Sequence, residues 1–320
     1  MKSTIFAVRL SCIVAASCLG LQARAAEPLR VGTPEVTSLA FNLLDIAEKS
    51  GAFAKEGVSI ERMDFAGSAK LHPAMAAGSI DLALGSGSDF LFLTRGVPEK
   101  AVGVYQKLPN DLVLVVRADS DIKDLAGLKG RKMGVAGPGG LTLWIGMSAA
   151  LKQGWKTTDI TYAYLGSIAN IMAALVSKNV DVAVSDTGAA YRAEVDGRAR
   201  VLAPGGAVVD PFIAHLVFAS DEAIAKRPDD IRHFLKAFYA AIAFAKTHEA
   251  EAISMTAAHS GYTPEVAHKV YQMVAPQFVT DGHFDQAALA ATLHSLVDLG
   301  VVPAADLPAP AKLINESLLP

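Results

Sequence analysis

Cysteine is nearly absent from this chain. The 320 residues include two, Cys12 and Cys18, and both lie within the first 25 residues. Since that segment has the pattern of a cleaved export signal, its removal leaves no thiol. The remaining chain then forms no disulfide, offers no thiolate to a metal and has no cysteine nucleophile.

Other motifs of metal and cofactor chemistry are missing as well. The eight histidines are scattered and form no H-E-x-x-H pair, and His72 is interpreted as a helix-surface residue. No glycine loop runs into the G-K-S/T of a phosphate-binding loop or completes a dinucleotide fingerprint, and no G-x-S-x-G elbow occurs. We therefore expect no cofactor, no metal site and no bound nucleotide.

Beyond the first 25 residues, the sequence also has no long apolar run and no block of like charge. The formal net charge is −3, and basic residues alternate with acidic ones. A nucleic-acid partner or an anionic membrane surface would require a basic patch, which this pattern does not provide. Each later apolar stretch is shorter than the ~20 residues of a membrane-spanning helix.

The N-terminus has the three parts of a secretory signal. Lys2 supplies the positive start, an apolar run extends from Leu10 to Leu21, and Ala23-Arg24-Ala25 forms a small-residue cleavage site. Residues 1–25 are therefore predicted to be a signal peptide, which predicts a periplasmic location. The alternatives are an uncleaved anchor and a lipoprotein, since Ala15–Cys18 loosely resembles an acylation box that lacks its usual leucine.

The remaining chain, about 295 residues long, exceeds a comfortable single core and predicts two domains. Strand and helix patterns alternate from Leu29 to Leu84, and the alternation restarts at Lys132 and continues to Ser185. Such βα alternation favours mostly parallel sheets. The apolar segments Leu112–Arg117 and Ile213–Ala219 lie where the chain could cross between the two domains, so they predict a hinge.

Ligands of open α/β sheets bind beyond the carboxyl ends of the strands, where loops lead into helix N-termini. Several of the loops in this position combine glycine, which lets a backbone approach closely, with a hydroxyl group that forms hydrogen bonds. In the alternative interpretation each hydroxyl simply caps its own helix. The loops are 33–38, 67–70, 85–89, 137–142, 166–167 and 186–187.

Several short motifs resemble those of periplasmic binding proteins of ABC importers. They are Gly78-Ser79-Ile80-Asp81, a Gly85 that closes a strand, Asp124-Leu125, the run 128–135 and the run 180–184. More narrowly, the chain resembles the branch that serves sulfonate, taurine, nitrate and thiamine-precursor uptake, and the resemblance covers essentially all of it after residue 25.

The resemblance implies the type II periplasmic-binding-protein fold, with two α/β lobes whose mixed, mostly parallel sheets are joined by two crossover strands. Lobe 1 is expected over residues 26–114 and 215–320, and lobe 2 over 115–214. The implied function is capture of a small polar or anionic molecule, namely a sulfonate, nitrate, a pyrimidine or an aromatic acid, by closure of the lobes. The implied protein is a monomer without a cofactor that delivers this solute to a membrane permease.

Carried onto this chain, the resemblance implies ligand contacts from both lobes. Trp144 could wall the pocket, or it could belong to the core. The expected contacts are Thr37, Ser38, Gly67, Ser68, Ser86 and Ser88 from lobe 1, and Gly139, Gly140, Leu141, Thr142 and Asp186 from lobe 2.

The ligand's identity stays open. No arginine lies inside the binding loops, although a bound sulfonate or carboxylate often attracts a guanidinium. Helix N-termini could hold an anion alone, whereas the acids Glu35, Asp89, Asp186 and Asp210 could favour amino or ring N–H donors, as in a pyrimidine precursor. In the alternative interpretation, which is preferred for Asp89 and Asp210, these acids cap helices or form surface ion pairs.

Three other functions use the same architecture. An enzyme of thiamine-precursor or related metabolism is one, although the pyrimidine-synthesising relatives carry a cysteine-rich segment that this chain lacks. A receptor for a sensor kinase is the second. The third, the effector domain of a transcription regulator, needs a DNA-binding segment where this chain has a signal.

Overall fold

The computed structural model describes residues 27–209 and 211–320. The predicted signal peptide, with Lys2, Cys12 and Cys18, lies outside the described residues, and so does Asp210. Within the described part, no helix has both the length and the apolarity needed to cross a bilayer.

The described strands form two five-stranded sheets. The first sheet has the order β2-β1-β3-β10-β4 and the second β7-β6-β8-β5-β9. The strands are β1 Leu29–Thr33, β2 Ile60–Asp64, β3 Leu82–Ser86, β4 Glu99–Gln106, β5 Leu112–Arg117, β6 Lys132–Val135, β7 Thr161–Tyr164, β8 Val182–Asp186, β9 Ala199–Pro204 and β10 His215–Ser220.

Each sheet is mixed, and four of its five strands run in one direction. In the first sheet β10 is antiparallel to both of its neighbours, and in the second sheet β5 is antiparallel to both of its own. The remaining pairings are parallel. The expected pair of mixed, mostly parallel α/β sheets is therefore confirmed.

The two reversed strands are the segments that we expected to cross between lobes. Leu112–Arg117 is a full member of the second sheet and His215–Ser220 of the first, because each pairs along its length with two neighbours. The chain changes sheets before each of them, at 107–111 and at 205–214. Below, lobe 1 means residues 27–106 and 215–320, and lobe 2 means residues 112–204.

The expected boundary at 114/115 falls inside β5. Burial explains the strand's position, because Val113 to Val116 are fully buried and β5 fills the gap between β8 and β9. Strands β4 and β9, which we did not predict, pair with β10 and β5 and form one edge of each sheet.

Helices cover the faces of both sheets. They are α1 Leu39–Lys49, α2 Ala52–Lys55, α3 Ser68–Ala76, α4 Phe90–Thr94, α5 Leu141–Lys152, α6 Ile168–Val176, α7 Thr187–Val195, α8 Gly206–Val209, α9 Asp221–Lys226, α10 Pro228–Thr247, α11 Glu249–Ser260, α12 Pro264–Val274 and α13 Gln286–Asp298.

The long helix α10 shows how the pattern specifies the packing. Pro228 begins it and two aspartates follow in its first turn, where they face the positive end of the helix dipole. Its apolar stripe is fully buried against lobe 1, as the periodicity predicts. The stripe consists of Ile231, Phe234, Leu235, Phe238 and Ile242.

The two lobes share buried apolar contacts on one side. One cluster of buried residues joins Phe90 and Leu91 of lobe 1 to Leu141 and Trp144 of lobe 2. This side holds the lobes together and leaves a cleft between the ends of their sheets.

Candidate ligand-binding site

A cleft of about 800 Å³ lies between the two lobes. Its walls come from loops that follow strands β1, β2 and β3 in lobe 1 and strands β6, β7 and β8 in lobe 2. Because carboxyl ends of parallel strands meet at one edge of a sheet, both sheets direct their loops and the first turns of the following helices toward this cleft.

Eight of the eleven predicted ligand contacts line the cleft. They are Thr37, Gly67, Ser68, Ser86, Gly140, Leu141, Thr142 and Asp186. Because several of them are largely buried, they contact the cleft through few atoms, and their packing fixes the shape of its walls.

The remaining three predicted contacts lie behind the wall. Ser38 caps α1 and donates a hydrogen bond to Asp111 at 3.2 Å. Ser88 is fully buried, and its hydroxyl lies 2.9 Å from that of Ser86. Gly139 packs beneath Leu91, so that an added Cβ would lie 3.1 Å from its side chain.

Two helices present uncapped N-termini to the cleft. Helix α3 begins after Gly67 and α5 after Gly140, and neither N-terminus receives a hydrogen bond from a capping side chain. Their free N–H groups and dipoles can accept a negative or strongly polar group. Helices α1 and α7 differ, because acceptor side chains satisfy their first N–H groups.

Glu35 is the acceptor that precedes α1. Its carboxylate accepts hydrogen bonds from the backbone N–H groups of Thr37, at 2.9 Å, and Ser38, at 2.6 Å, and from the Thr37 hydroxyl. Burial and the charge of Asp186 nevertheless raise the pKa of Glu35 to about 7.

Asp186 lies at the end of β8 and caps α7. Its Oδ1 accepts hydrogen bonds from the Ala189 N–H at 2.9 Å and from the Tyr262 hydroxyl at 3.0 Å. Its Oδ2 is buried and has no hydrogen-bond partner among the described residues. Burial raises the pKa of Asp186.

A buried ion pair lies where the two crossings meet the cleft. His215 Nε2 contacts Asp111 Oδ2 at 2.8 Å, and Nδ1 lies 3.1 Å from the Gly85 carbonyl oxygen. Because a carbonyl oxygen only accepts, Nδ1–H donates to it, and Asp111 Oδ2 accepts a hydrogen bond from Nε2–H. Burial lowers the pKa of His215, but Asp111 outweighs burial and raises it.

The sequence motifs did not point to this pair, since single histidines and aspartates 104 residues apart carry no spacing signal. The only clue was position. Asp111 precedes one candidate crossing segment, and His215 lies within the other.

Two basic residues at the rim also escaped prediction. Arg192 and Arg198 line the edge of the cleft, although both are exposed and lie on or after α7 rather than in a loop. Arg192 stacks on the Tyr262 ring at 5.1 Å and donates to the carbonyl oxygens of Ser260 and Gly261 across the lobes.

Two sequence interpretations concern aromatic rings. Trp144 belongs to the core and not to the cleft wall, since it is buried and packs near Phe212. His72 was expected on a helix surface, which is wrong, because it is fully buried between Asp89 and Glu99. Burial lowers its pKa, but the two carboxylates outweigh burial and raise it to about 10.

Most of the remaining wall is apolar. Side chains from both lobes contribute to it, so a ligand body of carbon atoms can be buried there. They include Val36, Phe41 and Phe65 from lobe 1, and Leu112, Ile168, Met172 and Val176 from lobe 2.

Comparisons with solved structures show the fold. The alkanesulfonate-binding protein SsuA from Xanthomonas axonopodis pv. citri, bound to MOPS, is 22% identical with a TM-score of 0.76, covering 90% of this chain and 98% of its own. The periplasmic aliphatic sulphonate binding protein SsuA from Escherichia coli is 23% identical with a TM-score of 0.73, covering 90% and 92%. The desulfurization enzyme DSZB is 18% identical with a TM-score of 0.63, covering 91% and 97%.

A search of curated protein sequences finds no match. A family model described as NMT1/THI5 like matches residues 41–252, about two thirds of the chain. The match begins in α1 and extends through both sheets into α11, so it includes every strand that frames the cleft except β1. The chain therefore belongs to the NMT1/THI5-like family.

Proposed function

We propose that this protein is the extracytoplasmic solute-binding component of an ABC importer. One observation carries the proposal: a single cleft of about 800 Å³ is lined by helix N-termini and acceptor groups from two separate α/β lobes. The similar structures that are named as sulfonate-binding proteins of such importers support it.

Closure of the lobes on a ligand is the proposed mechanism. A ligand shifts an equilibrium between open and closed forms only if it contacts one form better, so it must bridge both lobes. The segments 107–111 and 205–214 connect the lobes and would act as the hinge. The Asp111–His215 pair joins the two segments at their ends and keeps them together while the lobes move.

The location and partners follow from the same proposal. The predicted signal peptide and the resemblance to periplasmic proteins support export, and closure would create the surface that a membrane permease recognises. We propose a monomer that delivers one solute per cycle. A receptor that passes the same closed form to a sensor kinase remains the alternative partner.

An enzyme on this fold is the second candidate, because DSZB, a desulfurization enzyme, shares it. Fold alone does not separate binding from catalysis. Both cysteines of this chain lie in the predicted signal peptide, so a catalyst here would have to use another nucleophile or none. Recovery of a ligand unchanged after long incubation supports the receptor, and its conversion to product would establish the enzyme.

The proposal predicts where ligand binding can be blocked. Thermal-shift measurements with sulfonates, nitrate, pyrimidines, aromatic acids and organic amines would identify ligands. A ligand at 100 times its Kd adds about 2.7 kcal/mol to the free energy of unfolding and so raises the melting temperature. Ala169 on α6 is exposed and lines the cleft, so Ala169→Trp fills space that the ligand needs without disturbing the core.

Ala54 on α2 is an exposed alanine outside the cleft and supplies the matched control. We expect Ala169→Trp to abolish the thermal shift of any hit and Ala54→Trp to leave it unchanged. Equal shifts in both variants would place the ligand elsewhere and contradict the proposed site.

A further inference from the structure

Two carboxylates, one from each lobe, line the cleft. Glu35 follows β1 in lobe 1, and Asp186 ends β8 in lobe 2. Both line the cleft, and they lie close enough for the charge of Asp186 to raise the pKa of Glu35. Two like charges that approach as lobes close oppose that closure, unless something positive lies between them.

Asp186 has one buried carboxylate oxygen that accepts no hydrogen bond from the described residues. The side chain is 99% buried, and Oδ1 is satisfied by two donors, whereas Oδ2 has none among the described residues. Leaving a buried carboxylate oxygen without a donor costs free energy comparable to a lost hydrogen bond or more. A ligand in the cleft that donates a hydrogen bond to Asp186 Oδ2 would therefore remove this cost.

The basic side chains described around the cleft are committed elsewhere. His215 bonds to Asp111 and to the Gly85 carbonyl, and Arg192 donates to two backbone carbonyls at the rim. Arg198 pairs with Asp196. Among the described residues, none of these three cations forms an ion pair with Glu35 or Asp186.

We propose that the ligand carries a protonated amine, amidine or guanidine that binds between Glu35 and Asp186 and so drives closure of the lobes. The inference rests on the proposed function and specifies the ligand class of that site. An N–H cation supplies the donor that Asp186 Oδ2 lacks, and its charge turns the repulsion between the two lobes into attraction.

The rest of the ligand is apolar in this account. Phe41 and Phe65 on one side and Ile168 and Met172 on the other provide carbon surface next to the acids. Removing an aryl or alkyl body from water there favours binding, and the acids fix its orientation.

Binding of a cation also has consequences for protons. The groups that face the two acids are the Tyr262 hydroxyl, the Asp111–His215 pair and the Arg192 guanidinium, together with the N–H donors of Thr37, Ser38 and Ala189. Because the pKa of Glu35 is raised to about 7, its carboxyl group is partly protonated at neutral pH when no ligand is bound. A bound cation favours the carboxylate, so binding releases protons and strengthens as pH rises from 6 to 8.

The experiment uses matched aryl probes on the purified chain after its signal is removed. Benzamidinium and benzylammonium test the inference, benzenesulfonate tests an anion of the same size, and benzyl alcohol tests the ring without charge. Isothermal titration in buffers of different ionisation enthalpy gives both affinity and protons released.

We expect the two cations to bind with proton release and the sulfonate to bind more weakly or not at all. Glu35→Gln and Asp186→Asn should each weaken the cations at least about tenfold, since each removes one charge while keeping an acceptor oxygen. Asp121→Asn, an exposed carboxylate on the far side of lobe 2, should leave affinity unchanged.

The possible failures are distinguishable. Binding of benzenesulfonate with both cations silent would overturn the inference and leave the proposed receptor function standing. Silence of all four probes, or cation binding that the two acid variants leave unchanged, would overturn the inference as well. The circular-dichroism spectra and melting temperatures of both variants show independently whether they fold. Asn at position 186 keeps the acceptor oxygen that caps α7, whereas Gln at position 35 keeps one of the two oxygens that accept the N–H groups of Thr37 and Ser38.

Discussion

Glu35, Asp186 and His215 are titratable side chains that line the cleft, and burial and neighbouring charges shift the pKa of each. Burial raises the pKa of both Glu35 and Asp186, the charge of Asp186 raises that of Glu35 further, and the charge of Asp111 raises that of Asp186. His215 faces Asp111, and that contact lowers the pKa of Asp111 despite burial. Burial and neighbouring charges together therefore set the direction in which each pKa shifts.

Glu35 makes a prediction about stability. Its pKa is raised from 4.5 to about 7 in the folded protein. Between these two pH values the Glu35 carboxyl therefore binds more protons in the folded state than in the unfolded state. The free energy of unfolding should therefore fall as pH rises from about 5 to about 7.5. Glu35→Gln should flatten this fall and make the ligand-free protein more stable than wild type at pH 8.

Urea unfolding at a series of pH values measures this effect. His72 adds a further loss between pH 6.5 and about 10, because its pKa is also raised, and that loss persists in the Glu35→Gln variant. A variant whose profile from pH 5 to 7.5 matches wild type would contradict the account of Glu35.

A residue's place in the cleft can be predicted from the sequence when it depends on the residues next to it in the chain. Ser68, Gly140 and Thr142 reach the cleft because each follows a strand by a few residues, and a local pattern predicts that. Asp111 and His215 meet only after two sheets have assembled, and no short motif encodes their contact.

At the scale of elements, the alternation of strand and helix fixed the order of most of the cleft. The predicted alternation runs from Leu29 to Leu84 and from Lys132 to Ser185. Strands β1 and β6 begin at the first residues of these two segments, and β3 and β8 end within two residues of their last, because alternating and continuous apolar runs specify buried strands locally. Strands β4 and β9 were missed, since each is an edge strand whose identity depends on pairing with a reversed neighbour.

The contact between α7 and the segment before α12 closes one end of the cleft. Tyr262 lies against Gly188, and a Cβ added to Gly188 would be 2.2 Å from the Tyr262 ring and hydroxyl. The absence of a side chain on Gly188 therefore lets Tyr262 reach Asp186.

Gly188→Ala should displace Tyr262 and weaken ligand binding, while the helical content stays the same. The matched control is Gly137→Ala, because Gly137 has free space around its Cα and no positive φ. Titration of both variants with a ligand of the wild type measures the effect. Equal affinity in Gly188→Ala and wild type would show that the Tyr262 contact does not shape the cleft.

At the scale of the whole molecule, the chain passes twice between two similar sheets. The strand after the first passage, β5, joins the second sheet, and the strand after the return passage, β10, joins the first. Each sheet holds one reversed strand in the fourth position, and that strand directly follows a passage between the lobes. Each passage is therefore anchored to an interior strand of a sheet rather than to a loose linker, so the lobes can rotate while both sheets stay intact.

The central claim is that this chain binds a small molecule between its lobes, and direct recovery of that molecule tests it. The purified wild type and the Ala169→Trp variant would be dialysed against a mixture of cellular metabolites, washed, denatured and analysed by mass spectrometry. The account predicts near-stoichiometric release of one nitrogen-containing organic cation from the wild type and none from the variant. Recovery of no molecule from either protein, or of equal amounts from both, would contradict it.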